Sequence, residues 1–160
     1  MSDVDHLREA CRYAVERSQD LQTQVGAVLV SVSGKKLYAA NRMPAGIAGH
    51  AHRLERPTKA TFLEHAERAV LYKAAAHGIP TAGSRLYAPW AACTDCARAI
   101  IACGVKEVVG LIVLRNATPE RWRATIWTAD QMLAEAGVGI RWVNERVGVT
   151  VRFDGRDIEC

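Results

Sequence analysis

No apolar run in this chain approaches the roughly 20 residues needed to cross a bilayer, so no membrane span is expected. An apolar leader is also missing: Met-Ser-Asp-Val-Asp-His is polar and acidic, and secretion is not indicated. These absences set the cytoplasm as the expected location. Aromatic residues are few, and none alternate with basic residues as a stacking platform for single-stranded nucleic acid would. Lys35-Lys36 is the one adjacent lysine pair; it follows Ser33-Gly34 and reads as a solvated turn. Nucleic acid is therefore not an expected partner. A net charge of +4 suits an anionic small molecule, and it equally suits an ordinary basic surface. There is no internal repeat and no low-complexity linker, and 160 residues are enough for one domain around a single core.

The five cysteines are Cys11, Cys93, Cys96, Cys103 and Cys160, an odd number that excludes a complete disulfide framework. In a reducing compartment the close pair Cys93-Thr94-Asp95-Cys96 reads as metal ligands or a redox pair.

The pattern of apolar and turn residues predicts a helix over 4–18 and a hairpin of strands 25–32 and 35–40 around Ser33-Gly34. Residues 42–60 form a long connection, and long connections in compact domains are often functional. A helix is predicted over 62–77, stopped by Gly78 and Pro80. Strand 84–90, helix 94–103, strand 105–114, a helix from Pro119 to Ala136 and strand 138–143 follow. Asp154-Gly155 sits in the middle of 149–158 and predicts a terminal hairpin. The expected division is a main domain over 1–143 and an extension over 144–160. A helix, a hairpin and then alternating strands and helices predict a three-layer α/β/α domain, its mixed sheet parallel in the second half.

His65-Ala66-Glu67 opens one predicted helix and Cys93-x-x-Cys96 opens the next. One imidazole and two thiolates can hold a zinc ion and leave a fourth position for water. Exposed N–H groups and the dipole at a helix start favour thiolate, which suits Cys93 and Cys96. Glu67 is then free to move protons. Each piece alone has a plainer reading, as a buried histidine, a surface glutamate, a redox pair or half of a structural zinc site. Together, in this order, they match the signature of zinc nucleobase deaminases.

Further motifs carry a closer resemblance. They are Arg17-Ser18-Gln19-Asp20, Gln24-Val25-Gly26-Ala27, Asn41-Arg42-Met43-Pro44-Ala45-Gly46, Arg56-Pro57-Thr58-Lys59 and Glu64-His65-Ala66-Glu67-Arg68, together with the run from Cys93 to Ile101. In these the chain resembles the deoxycytidylate (dCMP) deaminases of the cytidine deaminase superfamily over roughly residues 10–143. The resemblance implies a five-stranded sheet between helices and one catalytic Zn2+ held by His65, Cys93 and Cys96. It also implies Glu67 as the catalytic residue and hydrolysis of dCMP, or a 5-substituted dCMP, to dUMP and ammonia. A homo-oligomer, hexamer or dimer, is implied too.

By motif match Asn41 would touch the nucleotide and Ala66 would offer its backbone to the base. Asn41 has the plainer reading of a turn residue ending a strand. Trp90 is expected either to pack on the base or to close the core at a strand end. Arg42, Arg53, Arg56, Lys59 and Arg115 are candidate cations for the phosphate, each with the alternative of a solvated surface charge. His50 and His52 form a His-x-His pair with no cysteine nearby, so a second zinc is not expected. The chain departs from the family pattern at Ala92, Ala69 and Arg42, where proline, asparagine and glycine are usual. The other readings are a deaminase of a free base, a nucleoside or a tRNA adenosine, and outside enzymes a structural zinc or redox protein.

Overall fold

The computed structural model describes residues 1–160. Helix α1 (Asp3–Arg17) begins with a capping box in which the Ser2 hydroxyl accepts from the Asp5 N–H and the Asp5 carboxylate accepts from the Ser2 N–H. Strands β1 (Gly26–Val30) and β2 (Lys36–Ala40) form the predicted hairpin. Strands β3 (Arg85–Tyr87), β4 (Glu107–Leu111) and β5 (Gly139–Val143) complete a sheet of order β2-β1-β3-β4-β5. The first three strands pair antiparallel and the last two pairings are parallel, so the mixed sheet expected from the sequence is present.

Helix α1 packs across β1 to β4. Helix α3 (Ala66–Ala76) packs on β1 and β2, and α4 (Thr94–Ala102) lies between α3 and α6 (Glu120–Glu135), which reaches β5. No helix is long and apolar enough to cross a membrane. The C-terminal strands β6 (Thr150–Phe153) and β7 (Arg156–Glu159) form a separate hairpin. Its turn residues Asp154 and Gly155 both have positive φ, 49° and 75°, the geometry for which Asp-Gly is suited. Val151 and Phe153 from this hairpin are buried in the main hydrophobic cluster.

Three predicted elements are corrected. The helix expected over 62–77 is interrupted: α2 (Lys59–Phe62) ends, Glu64 bridges to Arg42, and α3 starts at Ala66. The strand expected over 105–114 stops at Leu111, and the chain turns into α5 (Ile112–Asn116). A strand and a helical turn look alike as short apolar runs. Strand 84–90 is also shorter, because only Arg85–Tyr87 finds partners on both sides.

The approach of α1 to β1 depends on Gly26. A Cβ there would lie 2.1 Å from the Ala10 carbonyl oxygen, a backbone atom that moves only with the helix. Gly26→Ala is expected to destabilise the fold by about 1–3 kcal/mol through overpacking. Urea unfolding checks this; a variant as stable as the parent would show that α1 moves aside freely.

Candidate active site

The N-termini of α3 and α4 lie side by side. His65 is the residue preceding α3 and Cys93 the residue preceding α4, both extended, while Cys96 sits in the first turn of α4. Arg68 ties the two helices together, pairing with Glu64 on one side and with Asp95 at 3.3 Å on the other. The donors therefore converge: both Sγ atoms lie 3.5 Å from His65 Nδ1, and all three atoms are within 4.8 Å of one another. Zinc–sulfur and zinc–nitrogen bond lengths at a tetrahedral angle place N and S donors about 3.5 Å apart. The donor set fits zinc in both chemistry and spacing.

The electrostatics agree. A hydrogen bond from Cys96 pulls the Cys93 thiol down to about 4, with burial opposing and the His65 imidazole assisting. Cys96, sharing that proton and more deeply buried, is pushed up. Burial works against a charged His65, but Cys93 and Glu67 outweigh it and hold its basicity above the ordinary value.

Glu67 lies in the first turn of α3, outside the donor cluster and only 3% exposed. Burial pushes its carboxyl above the usual carboxylate range. Glu67, Ala66, His65 and Cys93 all line one cleft, whose empty space is about 670 Å3 including open solvent. Trp90 and Trp122 line it as well, their rings edge-on at 5.6 Å.

Asn41 also faces the cleft, but its side chain is committed to the fold. Its Oδ1 accepts from the Ser18 hydroxyl and the Val25 N–H, and its Nδ2 donates to the Thr23 carbonyl. Asn41 thus fixes the cleft wall made by residues 20–25. Lys59 is buried in that wall, with Nζ 2.8 Å from both carboxylate oxygens of Asp20. Asp20 Oδ1 also accepts from the N–H groups of Gln22 and Thr23.

The candidate cations are not brought together. Arg56 lines the cleft and is exposed, and Lys59 is occupied by Asp20. Arg42 is a correction: it is exposed beside the Glu64 bridge and does not line the cleft. Arg115 is a second correction. It pairs with Asp130 and lies 5.2 Å over the Trp142 ring, away from the cleft. Arg53 sits 4.6 Å over Phe62 and donates to the Ala48 carbonyl. His50 and His52 stack at the surface, 5.7 Å apart, with no third donor.

Trp90 sits where cleft and core meet. Its ring lines the cleft, yet its indole N–H donates to Thr118 Oγ1 at 3.0 Å and its other edge packs on Phe153. Sequence reasoning missed Trp122 and the Asp20–Lys59 pair. Trp122 falls in phase with the buried Ile126, Ala129 and Leu133 of α6, so periodicity assigns it to the core.

The model of the cytidine and deoxycytidylate deaminase zinc-binding region matches residues 1–112. No curated protein matches the chain. Among solved structures the chain is similar to the dCMP deaminase of cyanophage S-TIM5 in apo form. The two are 22% identical with a TM-score of 0.69, over 88% of this chain and 96% of that one. The same phage enzyme in complex with dCMP and dUMP is 24% identical, over 87% of this chain and 94% of that one, with a TM-score of 0.68. A diaminohydroxyphosphoribosylaminopyrimidine deaminase/reductase from Thermotoga maritima is 18% identical, with a TM-score of 0.63. That match covers 88% of this chain and 36% of that one. At these identities the likeness is one of fold.

Proposed function

Because the chain belongs to the cytidine and deoxycytidylate deaminase family with its zinc-binding region, and is thus a zinc-dependent hydrolytic deaminase, we propose that its substrate is dCMP or a 5-substituted dCMP. The products are the corresponding deoxyuridylate and ammonia. The observation that carries the reading is the convergence of His65, Cys93 and Cys96 beside a carboxylate, Glu67, that is not one of the donors. The narrowing to a nucleotide is supported by Asn41 from one motif and Arg56 and Lys59 from another, all three of which line the cleft. The fold shared with the phage dCMP deaminase agrees with it.

In this reading His65, Cys93 and Cys96 hold the zinc. Zinc when bound supplies Lewis acidity that brings the ionisation of water toward neutral pH. Glu67 takes the proton from the attacking water, gives it to the ring nitrogen N3 of cytosine, and passes the second proton to the departing amino group at C4. Water thereby supplies the carbonyl oxygen and ammonia leaves. Burial, which pushes the Glu67 carboxyl above the usual carboxylate range, suits it to taking up and returning a proton. Ala66 offers its N–H at the start of α3 to the base, and Trp90 and Trp122 exclude water from the cleft.

The catalytic domain is assigned to residues 1–143, with 144–160 as its extension. The chain acts in the cytoplasm on a free nucleotide rather than on nucleic acid, as a homo-oligomer, dimer or hexamer. Trp127 and Tyr72, both more than half exposed, supply apolar surface for subunit contact.

Ammonia release from a panel of dCMP, cytidine, cytosine and a tRNA anticodon stem tests the substrate. Turnover of dCMP with little from the others is expected. Turnover of cytidine with none of dCMP would sink the nucleotide assignment and favour a nucleoside enzyme.

A further inference from the structure

The hairpin β6–β7 lies beyond residues 1–112, where the family model matches, and none of its residues lines the cleft. It nevertheless touches two parts of the cleft wall, Trp90 and the loop at Thr23, and pairs with the neighbour of a third, Trp122. Phe153 is fully buried and meets the Trp90 ring edge-on, centroids 5.0 Å apart. Backbone and side-chain hydrogen bonds join the hairpin to residues 22–24. The Gln24 N–H donates to the Arg152 carbonyl at 2.7 Å, and the Arg152 N–H donates to Gln24 Oε1 at 2.9 Å. The Gly155 N–H donates to the Gln22 carbonyl at 2.9 Å, and the Asp154 N–H donates to Thr23 Oγ1 at 3.3 Å. Asp154 also pairs with Arg121, next to Trp122 on α6.

We propose that this hairpin holds the substrate cleft at its working width, with Phe153 as a positioning residue that acts through Trp90. The inference rests on the reading of this cleft as the nucleotide site. Its physical basis is that the loop is held from one side by Asn41 and Asp20 and from the other by the hairpin. Trp90 is fixed from three directions: by Thr118 at its N–H, by Trp122 at one edge and by Phe153 at another. Removal of the Phe153 ring edge takes away one of these three restraints on the indole. Residues 22–24 are in no helix or strand, and the hairpin supplies them with the backbone partners a neighbouring strand would give. The Asp20–Lys59 pair and Asn41 bind the other side of the same loop, so displacement of the hairpin reaches the wall that faces the nucleotide. A loosened wall leaves the donors and Glu67 in place, since His65 and Glu67 belong to the start of α3 and Cys93 and Cys96 to the start of α4.

The test uses the zinc-loaded chain carrying Phe153→Leu or, separately, Gln24→Ala, a milder change at a half-buried side chain outside the cleft. Both variants are expected to keep their zinc and a kcat within about twofold of the parent, while KM for dCMP rises about tenfold in Phe153→Leu. Amide hydrogen exchange at residues 22–25 is expected to quicken in both. Unchanged KM and unchanged exchange would overturn the proposal. So would a joint loss of kcat, zinc and thermal stability, which marks a merely structural strand pair. If the parent does not turn over dCMP, the substrate assignment fails on its own. Exchange at 22–25 then decides the clamp: faster supports it, unchanged overturns it.

Discussion

Glu67→Gln keeps its zinc and loses turnover by about 10⁴-fold, the upper end of what positioned proton transfer contributes. The expectation follows from placement. Glu67 lies in the cleft beside the donor cluster but outside it, so the amide leaves His65, Cys93 and Cys96 untouched. Glutamine has nearly the shape of glutamate and fits the same buried space in the first turn of α3. What it lacks is a site that takes a proton from water and returns it to N3 and to the amine. Metal analysis and ammonia release on the same preparation check both halves. Activity within tenfold of the parent would remove Glu67 from the proton path.

The second large effect is on stability. Lys59→Met leaves the Asp20 carboxylate buried without its cation and is expected to destabilise the fold by about 3–5 kcal/mol. Lys59 is 4% exposed and Asp20 is 6% exposed, so water does little to replace the missing partner. The double variant Asp20→Asn, Lys59→Met removes both charges, and asparagine keeps an oxygen for the N–H groups of Gln22 and Thr23. It is expected to recover much of the loss, a non-additivity that urea unfolding of the four proteins in a double-mutant cycle measures directly. A single-variant loss under about 1 kcal/mol would mark the pair as an ordinary surface ion pair.

What the sequence made legible follows from how local each signal is. His65, Glu67, Cys93 and Cys96 are read from spacings of two or three residues that helix starts translate directly into position. Asp154-Gly155 announces its turn by conformational preference alone. The Lys59 charge was visible, but its partner is Asp20, 39 residues away, and no pattern in the chain encodes that pairing. Arg42 and Arg115 fail for the same reason: a sequence shows that a cation exists, while Asp130 and Trp142 decide where Arg115 points. Asn41 was identified by motif, yet its hydrogen bonds show it shaping the wall more than reaching into the cleft. Ile112–Leu114 was read as strand because the apolar run was visible and backbone direction was not.

The hairpin that bonds to residues 22–24 is made after the donor cluster. Chain growth at about 5–20 residues per second puts roughly 3–11 s between Cys96 and Phe153. All three zinc donors and Glu67 are therefore synthesised while the wall at residues 22–24 still lacks its strand partners. The order of synthesis makes the metal donors available seconds before the hairpin that braces the wall.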